Sequence, residues 1–195
     1  MTDHVITGPI DSLRTIYNKM VELRNMDKPL EENGFGKTWL GCLVVAFGGD
    51  WEKVACRGSW GNEKLNEQDG TLTFYTEYAW TPPFEFLDFL KSKFPVKSYF
   101  ISEEDLMGEY YCNDINGRYF PERYVLRSGE NSFYSSYPNE EKLIEAIIKH
   151  TPFKNVKTLH DFSVALERYN DKHEDDELDW QYIIYTPLED KYAEY

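Results

Sequence analysis

Two periods of apolar residues alternate along the chain, and the switches between them mark its elements. From Thr71 to Trp80 the residues Leu72, Phe74, Thr76, Tyr78 and Trp80 fall on every second position, which predicts a long strand with one buried face. Thr81 can cap the next helix, and Pro82 fits its first turn, where a missing N–H costs nothing. That helix is expected over Pro82 to Phe94 with Phe86, Leu87, Leu90 and Phe94 inward, ended by Pro95. Lys97 to Glu104 returns to the two-residue period through Tyr99 and Ile101.

Upstream, His4 to Thr7 reads as a first strand closed by Gly8-Pro9, followed by a helix on which Leu13, Ile16, Tyr17, Met20 and Leu23 share a face. Asp27 to Thr38 reads as a loop, Trp39 to Phe47 as a helix stopped by Gly48-Gly49, and Lys53 to Trp60 as a second strand. Gly61 to Asp69 is expected to be a polar connection ending in the Asp69-Gly70 turn pair. Downstream, Tyr110 to Asn113 and Tyr119 to Leu126 are expected to pair across the Asn116-Gly117 turn. Asn139 to His150 and Thr158 to Asn170 carry helical spacing, and Trp180 to Tyr185 reads as a last strand.

Strand, helix, strand, strand, helix, strand is the split βαβ order of a ferredoxin-like sandwich. The expected fold is therefore α+β, an antiparallel sheet with helices on one face. Residues 1–128 form that domain, and residues 129–195 add a helical and acidic extension packed on it as one compact unit.

Composition narrows the setting. The 195 residues fit one domain, and a hydrophobic fraction of 41% with 16% aromatics suits a packed core. No apolar run approaches the roughly 18 residues of a membrane span, and no signal peptide is visible at Met1 to His4. Cys42, Cys56 and Cys112 are scattered, as suits reduced thiols. The expectation is a cytoplasmic protein with no membrane contact.

Charge changes the picture most. The net charge is −14, which repels phosphate and works against direct nucleic-acid binding. Half of it lies beyond residue 170, where Asp171, Glu174, Asp175, Asp176, Glu177, Asp179, Glu189, Asp190 and Glu194 face only Lys172 and Lys191. Glu174, Asp175, Asp176, Glu177 and Asp179 are the candidate acidic surface for a basic protein partner; the plainer reading is a solvated linker.

Familiar motifs fail on spacing. Gly34-Phe35-Gly36-Lys37-Thr38 ends like a phosphate-binding loop, but Glu31 stands where the first glycine belongs. Asp114-Ile115-Asn116-Gly117 opens like a calcium loop, yet Val125 occupies the closing twelfth position. His4, His150, His160 and His173 lack zinc-ligand spacing. No cofactor or metal is expected.

A set of short motifs in order carries a resemblance: Trp39-Leu40-Gly41, Gly48-Gly49-Asp50-Trp51, Arg57-Gly58-Ser59-Trp60, Ala79-Trp80-Thr81-Pro82-Pro83, Lys93-Phe94-Pro95 and Tyr119-Phe120-Pro121-Glu122-Arg123-Tyr124. Over His4 to Leu126 the chain resembles the YubB-like ferredoxin-like domain family, uncharacterised proteins of bacterial plasmids, phages and integrated elements. The resemblance implies the fold and a mobile-element setting, and carries no catalytic residues. It implies no iron–sulfur cluster either, since three separated cysteines cannot supply four thiolates.

One aromatic and charged set, Arg57, Trp60, Glu77, Tyr78, Trp80, Glu103, Glu104, Asp114, Arg123 and Tyr124, is a candidate site if the strands bring it together. Of these, Arg57, Trp60, Glu77, Trp80, Asp114, Arg123 and Tyr124 are the binding candidates. Three function classes follow. The favoured one is a non-enzymatic interaction module of a mobile element, an acidic modulator of a host defence or nucleic-acid-handling protein. The alternative is a small hydrolase or transferase using a carboxylate–arginine cluster. The third is a single-strand nucleic-acid binder, which lacks the basic groove such binding needs.

Overall fold

The structure is a computed structural model and describes residues 1–77, 82–106 and 108–188. It is α+β, with five α-helices among the described residues, and divides into two compact units, residues 1–115 together with the segment from Pro187, and residues 116–186.

The first unit is organised on β1 (Thr2–Thr7), which pairs antiparallel with β3 (Thr71–Glu77) on one side and β4 (Lys97–Glu104) on the other. β2 (Ser59–Asn66) lies outside β3, and β5 (Glu109–Cys112) and β9 (Thr186–Pro187) extend the other edge, so the order is β2-β3-β1-β4-β5-β9. The connections carrying α1 (Ile10–Asn25), α2 (Leu40–Ala46) and α3 (Phe84–Lys93) each skip one strand. The sheet therefore has six strands rather than the four of a plain split βαβ.

Register sorts the side chains by face. Thr2 stands opposite Thr76 and Ser102, His4 opposite Phe74 and Phe100, and Ile6 opposite Leu72 and Ser98. All nine are buried. Against them pack Leu13, Ile16, Met20 and Leu23 of α1, Leu40, Leu43 and Val44 of α2, and Phe86, Leu87 and Leu90 of α3. The helical period of each helix meets the two-residue period of the sheet on this one face.

The second strand corrects the sequence expectation. It runs over Ser59–Asn66 rather than Lys53 to Trp60, while Trp51–Lys53 forms a single 3-10 turn capped by Asp50. Alternation fails across Gly61 to Leu65 because of a bulge: Asn62 and Glu63 stand where one residue should oppose Phe74, and Asn62 adopts φ 54°. The bulge turns Glu63 inward, and its fully buried carboxylate lies 2.6 Å from Arg24 Nη1 on α1.

The second unit has its own core. β6 (Tyr124–Ser128) pairs antiparallel with β7 (Phe133–Tyr137) and β8 (Gln181–Ile184), in the order β7-β6-β8. α4 (Glu140–His150) and α5 (Leu159–Asn170) contribute Leu143, Ala146, Ile147, Leu159 and Phe162 to a cluster with Leu126 and Trp180. Asn139 caps α4, and Thr158 with Asp161 forms a reciprocal capping box at α5. The expected hairpin across Asn116-Gly117 does not form, because β5 pairs with β4 and β6 pairs with β7 and β8. The second unit begins at Asn116.

His4 is a fully buried titratable group on β1. Its ring stacks on Phe74 at 4.8 Å, Nε2 meets Thr76 Oγ1 at 2.9 Å, and Nδ1 has no partner. Burial lowers its pKa to about 3. The folded state refuses a proton that the unfolded chain takes up below about pH 6.5, so stability is lost as pH falls from there toward 3. Between pH 6.5 and 4 the wild type should lose about 3 kcal/mol more than His4→Leu in chemical denaturation. Equal losses would show that His4 is not held neutral. Arg24→Ala should cost about 2–3 kcal/mol by leaving the Glu63 carboxylate uncompensated, and Arg24→Met with Glu63→Leu should recover most of it. Thermal melts of the three proteins check this.

Candidate functional site

The sequence-predicted cluster draws on both faces of the first sheet and on both units. Trp60 is buried among the helices on the inner face of the first sheet, opposite Thr76. Glu77 opposes Ser59, one position further along β3, so it lies on the other face and is exposed. Arg57 is exposed just before β2. Asp114, beyond β5, is only 1% exposed. Arg123 and Tyr124 belong to the second unit, where Arg123 Nε donates to the Phe120 carbonyl at 2.8 Å and Tyr124 packs on the second core. Tyr78 and Trp80 lie outside the described residues.

Asn113 shows what the segment beside Asp114 does. Its Oδ1 accepts from the Phe100 N–H at 2.6 Å and its Nδ2 donates to the Ser98 carbonyl at 2.8 Å. The side chain thus continues the β4–β5 ladder past the end of β5, a structural task of an amide that carries both a donor and an acceptor. Asp3 on β1 feels the carboxylate of Glu103 on β4. Loss of hydration raises the pKa of Asp3, and the charge of Glu103 adds to it. Cys42, Cys56 and Cys112 are buried and not joined in disulfides, and burial raises the Cys56 thiol to about 11, too high for a nucleophile at neutral pH. Among the described residues no group of three or more His, Cys, Asp or Glu is placed to hold a metal ion, and no helix is long and apolar enough to cross a membrane.

The acidic segment has more definite geometry. α5 ends at Asn170, whose side chain closes a bidentate clamp on the far end of the loop. Asn170 Oδ1 accepts from the Leu178 N–H at 2.9 Å, and Nδ2 donates to the Leu178 carbonyl at 3.0 Å. Inside the loop, the His173 ring stacks on Tyr169 at 4.2 Å and donates from Nδ1 to the Tyr169 carbonyl at 2.8 Å. Asp176 N–H donates to the His173 carbonyl at 2.9 Å. Asp171, Glu174, Asp175, Asp176 and Glu177 are all exposed.

Asp179 differs from its neighbours. Its Oδ1 accepts from the Ser128 hydroxyl at 2.5 Å, and its Oδ2 accepts from the Gly129 and Glu130 N–H groups at 2.6 and 3.0 Å. The Ser128 hydrogen bond, then the Glu130 and Gly129 amides, hold its pKa below the ordinary value. Of the five residues expected on an acidic surface, four are open to solvent and Asp179 is engaged with the β6–β7 turn.

An aromatic patch escaped the sequence reading. Phe35 and Trp51 are exposed and flank the buried Trp39, at ring-centroid distances of 6.3 and 5.2 Å. Phe35 and Trp51 sit in stretches with no apolar period, so their spacing could not reveal the meeting.

The placement of Trp60 and Glu77 on opposite faces of one sheet can be checked directly. Trp60→Ala should destabilise by about 3–5 kcal/mol and Glu77→Gln by less than about 0.5 kcal/mol. A double-mutant cycle should give a coupling below about 0.5 kcal/mol. A larger coupling would place the two in one site.

No family model, curated protein or solved structure matches the chain. The family likeness rests on the motifs quoted for it.

Proposed function

We propose that this chain is a non-enzymatic interaction module that offers the loop after α5 to a basic protein partner. The observation that carries the reading is the loop itself: exposed carboxylates Glu174, Asp175, Asp176 and Glu177 on a segment tied end to end by Asn170. A net charge of −14 adds long-range attraction for a basic surface, which raises association rate more than affinity. The mobile-element setting implied by the family resemblance makes a host defence or nucleic-acid-handling protein the partner class to test first.

The strand order β2-β3-β1-β4 with antiparallel neighbours and strand-skipping helical connections supports reading the first unit as a ferredoxin-like split βαβ extended at one edge. The enzyme alternative has one favourable observation, the raised pKa of Asp3 beside Glu103. Single-strand binding on the sheet face opposite the helices is disfavoured by Asp3, Glu77 and Glu103, which share that face.

Association with an immobilised lysine-rich peptide tests the reading. Amidating the loop (E174Q, D175N, D176N, E177Q) should slow association several-fold at low salt and flatten its salt dependence. The control amidates the exposed Asp27, Glu32, Glu52 and Glu122. It changes net charge equally, so equal slowing in both variants would refute a role for the loop.

A further inference from the structure

We propose that Asp179 and Asn170 form a two-point lock that holds the acidic loop in one conformation, with Asp179 acting as a positioning residue and not as part of the surface offered to a partner. The functional weight of this lock rests on the interaction reading above; the lock itself rests on geometry.

Three donors converge on the Asp179 carboxylate from one short turn: the Ser128 hydroxyl and the N–H groups of Gly129 and Glu130. The hydroxyl is oriented, because Ser128 Oγ accepts from Asn131 N–H at 3.1 Å and from Asn131 Nδ2 at 2.8 Å. With both acceptor directions used, its proton is directed to Asp179. Gly129 makes room for the carboxylate, since a Cβ there would stand 3.3 Å from Oδ2. Hydrogen bonds to an ionised acceptor are roughly twice as strong as neutral ones.

The need for such a lock follows from charge. Asp171, Glu174, Asp175, Asp176 and Glu177 repel one another, and Lys172 is the single cation in the loop. A run of like charges of this kind extends when left free. Here Asn170 pins Leu178 to the end of α5, and the next residue, Asp179, is pinned to the β6–β7 turn. Two adjacent residues are thus tied to two different elements, which fixes both the position and the direction of the chain leaving the loop.

Hydrogen exchange on the full chain tests this. In Asp179→Asn, the amides of residues 172–178 should exchange at least about ten-fold faster, with core amides of α4 and α5 unchanged. Asn170→Ala should act on the same amides. If Asp179→Asn proves unfolded, Ser128→Ala and Gly129→Ala remove one donor or crowd the carboxylate, and each should speed the same amides by a smaller factor. Unchanged loop exchange in the folded variants overturns the lock, whatever the lysine-peptide result. Faster exchange upholds it even where amidating Glu174 to Glu177 leaves association with the lysine-rich peptide unaltered, an outcome that would overturn only the interaction reading.

Discussion

The placement of β1 between β3 and β4 is the constraint on which the first unit depends. Every inward side chain of that strand meets a partner on both sides, and Thr2, His4 and Ile6 are all buried. A slip of one residue would take His4 and Ile6 off the helix-covered face and turn the carboxylate of Asp3 onto it, so one face of one strand sets the register of three. His4 sharpens the constraint. An imidazole between Phe74 and Phe100 with one nitrogen unpartnered is tolerable only while neutral. The helices follow from the same face: α1, α2 and α3 each present an apolar stripe to it.

The second unit solves a separate problem with fewer residues. Three short strands need a covering layer to be stable, and α4 and α5 supply it around Leu126, Ile147 and Phe162. Chain connectivity then places a reversal between α5 and β8, and that reversal carries the densest negative charge described. Fixing it requires neutral and charge-assisted hydrogen bonds to outweigh mutual repulsion, which Asn170 and Asp179 supply from its two margins.

α1 and β3 of the first unit were legible in the sequence because each obeys one period, whereas the buried face of β4 carries Ser98, Phe100 and Ser102 and not Tyr99 and Ile101. Leu13, Ile16, Met20 and Leu23 mark α1, and Leu72, Phe74 and Thr76 mark β3. The second strand was misplaced because its bulge at Asn62 and Glu63 breaks the alternation and turns a charged residue inward. Asn116-Gly117 is a genuine turn signal, with Gly117 at φ 63°, but the strands on its two sides join different sheets. Local turn chemistry cannot report which strands pair at long range. β7 went unseen because Phe133-Tyr134-Ser135-Ser136-Tyr137 has no alternating apolar set. The exposed acids of the loop were read directly from charge, whereas the engagement of Asp179 depends on Ser128, fifty-one residues away in sequence.

Whether the acidic loop is ordered decides between a fixed acidic surface and a free solvated linker. Backbone 15N relaxation of residues 171–178 in the full chain measures this on the relevant picosecond-to-nanosecond scale. Order parameters near about 0.85, equal to those of α5, are the predicted result. Values below about 0.6 through Glu174 to Glu177 would mean a free solvated linker and would contradict the account.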